Sequence, residues 1–78
     1  MNYKDLVSYM VKALVDKPGE VTINEVEGAK STILELHVSR DDVGKVIGKS
    51  GRIARSLRTI LNASATKSGK RVVLEILD

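Results

Sequence analysis

Gly48-Lys49-Ser50-Gly51 is the feature that most limits what this chain can become. Apolar residues recur at helical spacing on both sides of it, yet glycine costs about 1 kcal/mol relative to alanine inside a helix, and here two stand three apart. The segment therefore predicts two helices joined by a tight turn. The first is short and opens at Ser39-Arg40-Asp41-Asp42, where a serine followed three residues later by an acid makes a capping-box-like start. The second is predicted from about Arg52 to Asn62 or slightly beyond. Ile53, Ala54, Leu57, Ile60 and Leu61 form its buried stripe, with Arg52, Arg55 and Arg58 at three-residue steps on the opposite side.

The rest of the chain supplies a helix and three strands. Asn2 can cap a first helix with Asp5 near its positive end. Tyr3, Leu6, Val7, Met10, Ala13 and Leu14 line one side of it, and Pro18-Gly19 is expected to stop it. Val21 and Ile23 alternate with polar neighbours, and Ser31 to Val38 puts Leu34, Leu36 and Val38 on one face. Glu27-Gly28-Ala29-Lys30 is a hairpin loop between these two strands. After a break at Thr66-Lys67-Ser68-Gly69, the alternation of Val72, Leu74 and Ile76 predicts a last strand. The expected order is α-β-β-α-α-β, an α+β fold with a three-stranded sheet packed against three helices, and its 78 residues make one domain, 1–78.

Charge is divided unevenly along this order. Residues 1–42 hold five Lys/Arg against eight Asp/Glu, a net of −3, whereas residues 43–78 hold eight against two, a net of +6. No acid occurs between Val43 and Leu74. An acid-free basic segment suits a polyanion, although a solvated basic surface has the same composition. No apolar run approaches the roughly 18 residues of a membrane span, and the N-terminus is unlike a signal peptide, so the expected location is the cytoplasm. The absence of cysteine excludes disulfides and thiolate chemistry. His37 has no second His or Cys to join it, so no metal site is expected, and the acid-free segment lacks a general base; neither a cofactor nor catalysis is expected.

The glycine turn carries the chemistry. Its backbone can turn tightly, and the amides opening the next helix favour a phosphate. Lys49 adds a mobile cation and Ser50 a hydroxyl, while Lys45 and Arg52 flank the same place. Gly44-Lys45-Val46-Ile47-Gly48-Lys49-Ser50 comes near the nucleotide-binding pattern G-x-x-x-x-G-K-[ST]. It fails because only three residues separate the glycines and because the segment before the second glycine reads as helix.

Val46-Ile47-Gly48-Lys49-Ser50-Gly51-Arg52-Ile53, set in this order of elements, resembles the KH-domain RNA-binding family. Ile53 departs from the pattern by standing two residues after the second glycine. The order α-β-β-α-α-β is that of the type II, bacterial-style KH fold, and the chain is similar over its whole length to small bacterial single-KH proteins of the KhpA type. The resemblance implies a groove for about four nucleotides of single-stranded RNA, with single-stranded DNA as the alternative. One wall would be the second helix, the loop and the start of the third helix. The other would be the strand from Ser31 to Val38 and the loop before the last strand, with Lys67, Lys70 and Arg71.

Carried over onto this chain, the resemblance implies that Gly48, Lys49, Ser50 and Gly51 hold the nucleic-acid backbone. Val43 and Val46 would floor the bases, with Ile47 and Leu57 facing the core. Lys45 and Arg52 are expected to assist; Arg55 is a further candidate, and Arg58 is read as a solubilising residue. With about four to six phosphate contacts, the expected salt slope is roughly −3 to −4. The binding role would be that of a sequence-tolerant RNA chaperone or adaptor. The competing reading is a protein-interaction subunit, because the resemblance also implies homodimers and complexes with a larger KH-containing protein of the Jag or KhpB type. Apolar surface on the third helix or around Ile53 would serve that role.

Overall fold

The structure, a computed structural model, describes residues 2–77; Met1 and Asp78, the ends of the expected domain, lie outside the described residues. Helix α1 spans Tyr3–Lys12, and the Asn2 side chain caps it by accepting the Asp5 amide at 2.8 Å. Val7 and Val11 are fully buried one turn apart. Pro18 does not end this helix. The helix ends at Lys12 with Ala13 as its C-cap, after which the Leu14 and Val15 amides converge on the Val11 carbonyl (2.9 and 3.2 Å) and draw Val15 into the core. The next two amides, of Asp16 and Lys17, are bound by the Asp42 carboxylate, and Pro18 opens a separate 3₁₀ turn, Pro18–Glu20.

Strands β1 (Thr22–Glu27) and β2 (Ser31–His37) form the expected antiparallel hairpin, with Ile23 opposite Leu36. Strand β3 (Arg71–Leu77) runs parallel to β2, so the sheet order is β1-β2-β3 with β2 central. Period-two alternation sends Thr32, Leu34 and Leu36 inward beside Val72 and Leu74, and leaves His37 exposed.

A parallel pair needs a crossover, and here it is helical. Helix α2 is Val43–Ile47 and helix α3 is Arg52–Ala65. Ala54, Leu57, Leu61 and Ala65 supply the buried stripe of α3, which runs beyond Asn62 because no glycine intervenes before Gly69. Ile60 does not join the stripe and is 43% exposed. Nor does Ser39 make the expected capping box. Arg40–Asp42 is a 3₁₀ turn, the Ser39 side chain makes no capping bond, and Asp42 turns inward instead of back toward Ser39. The six elements nonetheless follow the order α-β-β-α-α-β around one apolar cluster. Among the described residues no helix is long and apolar enough to cross a membrane.

Candidate nucleic-acid interface

Gly48 ends α2 with φ 77° and ψ 172°, a region open essentially only to glycine. A Cβ there would lie 2.6 Å from Ile53 Cγ1 and 2.9 Å from the Ile53 amide nitrogen. Ile53 thus packs directly against the bare glycine. Ser50 (φ 58°) and Gly51 (φ 73°) are also left-handed, and nothing crowds Gly51. These dihedrals make Gly48–Gly51 a tight kinked turn, closed by the Gly51 amide on the Gly48 carbonyl at 3.2 Å, that leaves Lys49 and Ser50 exposed. Gly51 is the N-cap of α3 and has no side chain to cap it. The first turn of a 14-residue helix therefore lies beside the exposed Lys49 and Arg52 without a side-chain acceptor, although the Arg52 amide bonds the Lys49 carbonyl.

From this turn a groove runs between α3 and β3. Its upper compartment, about 350 Å³, is lined by Ile47, Gly51, Ala54, Arg55, Arg58 and Ile76. A lower one of about 150 Å³ continues past Arg58 to Asn62, Arg71 and the Val72–Leu74 backbone. Every charged residue of either lining is an arginine.

Several expected site residues lie outside this groove. The wall opposite α3 is the edge strand β3, not the central Ser31–Val38 segment, because β2 is flanked by β1 and β3 and has no open edge. Lys67 and Lys70 follow the C-terminal end of α3, roughly 20 Å along the helix from the glycine turn at about 1.5 Å per residue. Lys70 there pairs with Glu27 at 2.7 Å, and the Lys70 hydrogen bond holds the Glu27 carboxyl below its usual range. Val46 is fully buried in the core, so it cannot floor a groove. Its neighbour Ile47, expected inside, is 38% exposed and lines the groove instead. Successive helical residues point about 100° apart, so seating Val46 inward swings Ile47 outward. Val43 is half-buried against the core and outside the groove lining. Leu57 is buried as expected.

The arginines change places too. Arg55 lines the upper compartment and reaches back to the Ser50 carbonyl at 3.4 Å. Arg58, read as a solubilising residue, donates through Nε (3.3 Å) and a terminal nitrogen (3.2 Å) to the Leu74 carbonyl.

Lys45 belongs to a cluster that the sequence did not reveal. Asp42, with its side chain 1% exposed, accepts the amides of Asp16 (3.2 Å) and Lys17 (3.0 Å) and the Lys45 ammonium (3.4 Å), which also pairs with Asp16 at 3.0 Å. Burial pushes the Asp42 carboxyl up, but the two amides and the ammonium outweigh it and hold it below its ordinary value. The hydrogen bond to Asp16, then that to Asp42, raises Lys45. Lys17 pairs with Asp41 at 3.1 Å in the same clasp. The one sequence signal for it was the Asp42/Lys45 spacing of three residues.

Comparison with known proteins identifies the family. The family model described as KhpA/KhpB, KH domain, matches residues 4–76. The RNA-binding protein KhpA of Borreliella burgdorferi is 60% identical over 77 residues, covering 99% of this chain and 94% of that protein. Those of Clostridium perfringens (57% over 74 residues, 95% and 99% covered) and Treponema pallidum (56% over 75 residues, 96% and 94%) are similar. No solved structure gives a significant match. With the matched model and these relatives spanning nearly every residue, the chain belongs to the KhpA/KhpB KH-domain family.

Proposed function

We propose that this chain acts as one unit that binds single-stranded RNA along the α3–β3 groove, with the phosphates at the Gly48–Gly51 turn. The observation that carries the reading is an acid-free groove opening onto the positive end of α3, where Gly51 brings no side-chain cap and Lys49 and Arg52 are exposed. Ile47, Ala54 and Ile76 supply an apolar floor, and Lys49, Arg52, Arg55 and Arg58 the cations. Relatives carry the name RNA-binding protein, and the family is one of RNA-binding domains, not enzymes. The grip on phosphates is itself indifferent to base sequence and leaves any base preference to the groove, which fits a broadly binding chaperone or adaptor acting in the bacterial cytoplasm. The double substitution Lys49→Asp/Ser50→Asp should weaken binding of a short unpaired RNA by at least about 100-fold, because two groups facing phosphate become anions. Fluorescence anisotropy reads this, with circular dichroism reporting an unchanged fold. Retained affinity would defeat the groove.

A second reading stands on Ile60, a large apolar side chain 43% exposed on α3 away from the buried stripe. It would seat a second copy of this chain or a larger KH-containing partner, alongside RNA binding. Light scattering of the pure protein should give twice the monomer mass, and Ile60→Asp should return it to one. A wild-type monomer at high concentration would remove the self-association.

A further inference from the structure

Arg58 is the one residue common to both compartments of the groove. Leu74 lies on the edge of β3 that β2 does not use: the Arg71 amide points the other way, to the Lys30 carbonyl at 3.1 Å, and successive residues alternate in direction. By bonding the Leu74 carbonyl, Arg58 takes an acceptor out of that edge and spans the groove from α3 to β3.

A guanidinium has five N–H donors in a rigid plane. The two bonds to Leu74 use the side bearing Nε, at 3.3 and 3.2 Å. The opposite end, with one N–H from each terminal nitrogen, remains a fork of two parallel donors. No acid lines either compartment to occupy it, and Glu75 leaves β3 on the face opposite Leu74 and Ile76. The groove also lacks an aromatic ring. Tyr3 reaches Ser68 beyond the far end of α3, and Tyr9 is 72% exposed on α1. The only flat surfaces on which a base can stack in this groove are therefore guanidinium planes, and that of Arg58 is anchored between the two walls.

We propose, on the strength of the RNA-binding reading above, that Arg58 is the specificity-determining residue of the groove. Its anchored fork selects a base with two adjacent acceptors, cytosine or guanine, over adenine and uracil where the compartments meet. Cytosine offers O2 and N3 side by side, and guanine O6 and N7. Adenine places its N6 donor beside each neighbouring acceptor, and uracil places its N3–H donor between two acceptors. A fork of donors meets a repelling N–H on either of the latter.

The test is a fluorescence-anisotropy titration of the full chain with labelled hexauridylate and with hexamers carrying one central cytosine, guanine or adenine. Wild type should bind the cytosine and guanine hexamers about tenfold tighter than the other two. Arg58→Ala should erase that ratio. Arg58→Lys, which keeps the charge but not the plane or the fork, should bring the cytosine hexamer to within about twofold of hexauridylate, whereas a lost salt contact would weaken all four hexamers together. Thermal melts establish that both variants fold. Wild-type affinities within twofold of one another, or an unchanged ratio in both variants, would overturn this proposal alone. Absence of binding to all four hexamers would overturn it together with the RNA-binding reading.

Discussion

The two ends of α2, a helix of only five residues, are built on opposite plans. At its start, Asp16, Asp41, Asp42, Lys17 and Lys45 are tied to one another, and the buried Asp42 carboxylate also gathers two backbone amides. At its end, the Gly48–Gly51 turn carries Lys49 and Arg52 with no acid opposite them among the described ion pairs. Charges that satisfy each other hold a structure and have little attraction left for a ligand. Cations without an anion wait for one. The same residue type therefore has different meanings 4 residues apart: Lys45 fastens α2 to the α1–β1 connection, and Lys49 is offered to solvent.

Substitutions at the two ends should separate these plans. The largest loss is expected at Gly48→Ala, where a methyl must fit 2.6 Å from Ile53 in a backbone region closed to alanine, at a cost of about 3 kcal/mol. Denaturant melts should show it, and RNA affinity should fall with it because the turn itself deforms. At Asp42→Asn the clasp loses its charge while the turn keeps its shape. The melting temperature should drop by roughly 10 °C, with RNA affinity of the folded protein within about twofold of wild type. Equal damage to affinity would mean that the clasp and the turn are one site.

The pH dependence follows from the same carboxylate. Asp42 is held below its ordinary value, so its contribution is complete above the unfolded pKa of about 3.9 and is lost as pH falls through the lower folded value. Wild type should therefore lose its margin over Asp42→Asn only below about pH 4. Lys45 is raised, so its share persists below about 10.4 and goes only as pH rises through the higher folded value. Neutral pH lies inside both limits. The smallest effect is expected at Gly51→Ala, which meets no neighbour and carries only left-handed strain of about 1 kcal/mol. A loss at Gly51 equal to that at Gly48 would contradict the packing of Ile53 on Gly48.

Local pattern made most of the fold legible. Alternation through Leu34, Leu36 and Val38 marked β2, and the glycine turn marked the boundary between α2 and α3. What could not be read was long-range or too short to show a period. The Asp42 clasp joins residues 25 and 26 positions apart, and no local spacing announces it. A helix as short as Val43–Ile47 spans little more than one turn, so which of Val46 and Ile47 points inward depends on packing. The mistaken wall has the same origin. Sheet order decides that β3, not β2, borders α3 on its open edge, so that Arg58 lines the groove and Lys67 and Lys70 do not.

That exchange alters a measurable number. With Lys45, Lys67 and Lys70 elsewhere, three or four cations remain for phosphate, and the logarithm of RNA affinity should fall against the logarithm of salt with a slope of about −2 to −3. An anisotropy titration of one unpaired RNA octamer at several salt concentrations measures it directly. The expected result is a slope in that range, unchanged by Lys67→Ala/Lys70→Ala. No binding even at low salt, or a steeper slope that shrinks when Lys67 and Lys70 are removed, would contradict a grip centred on the Gly48–Gly51 turn.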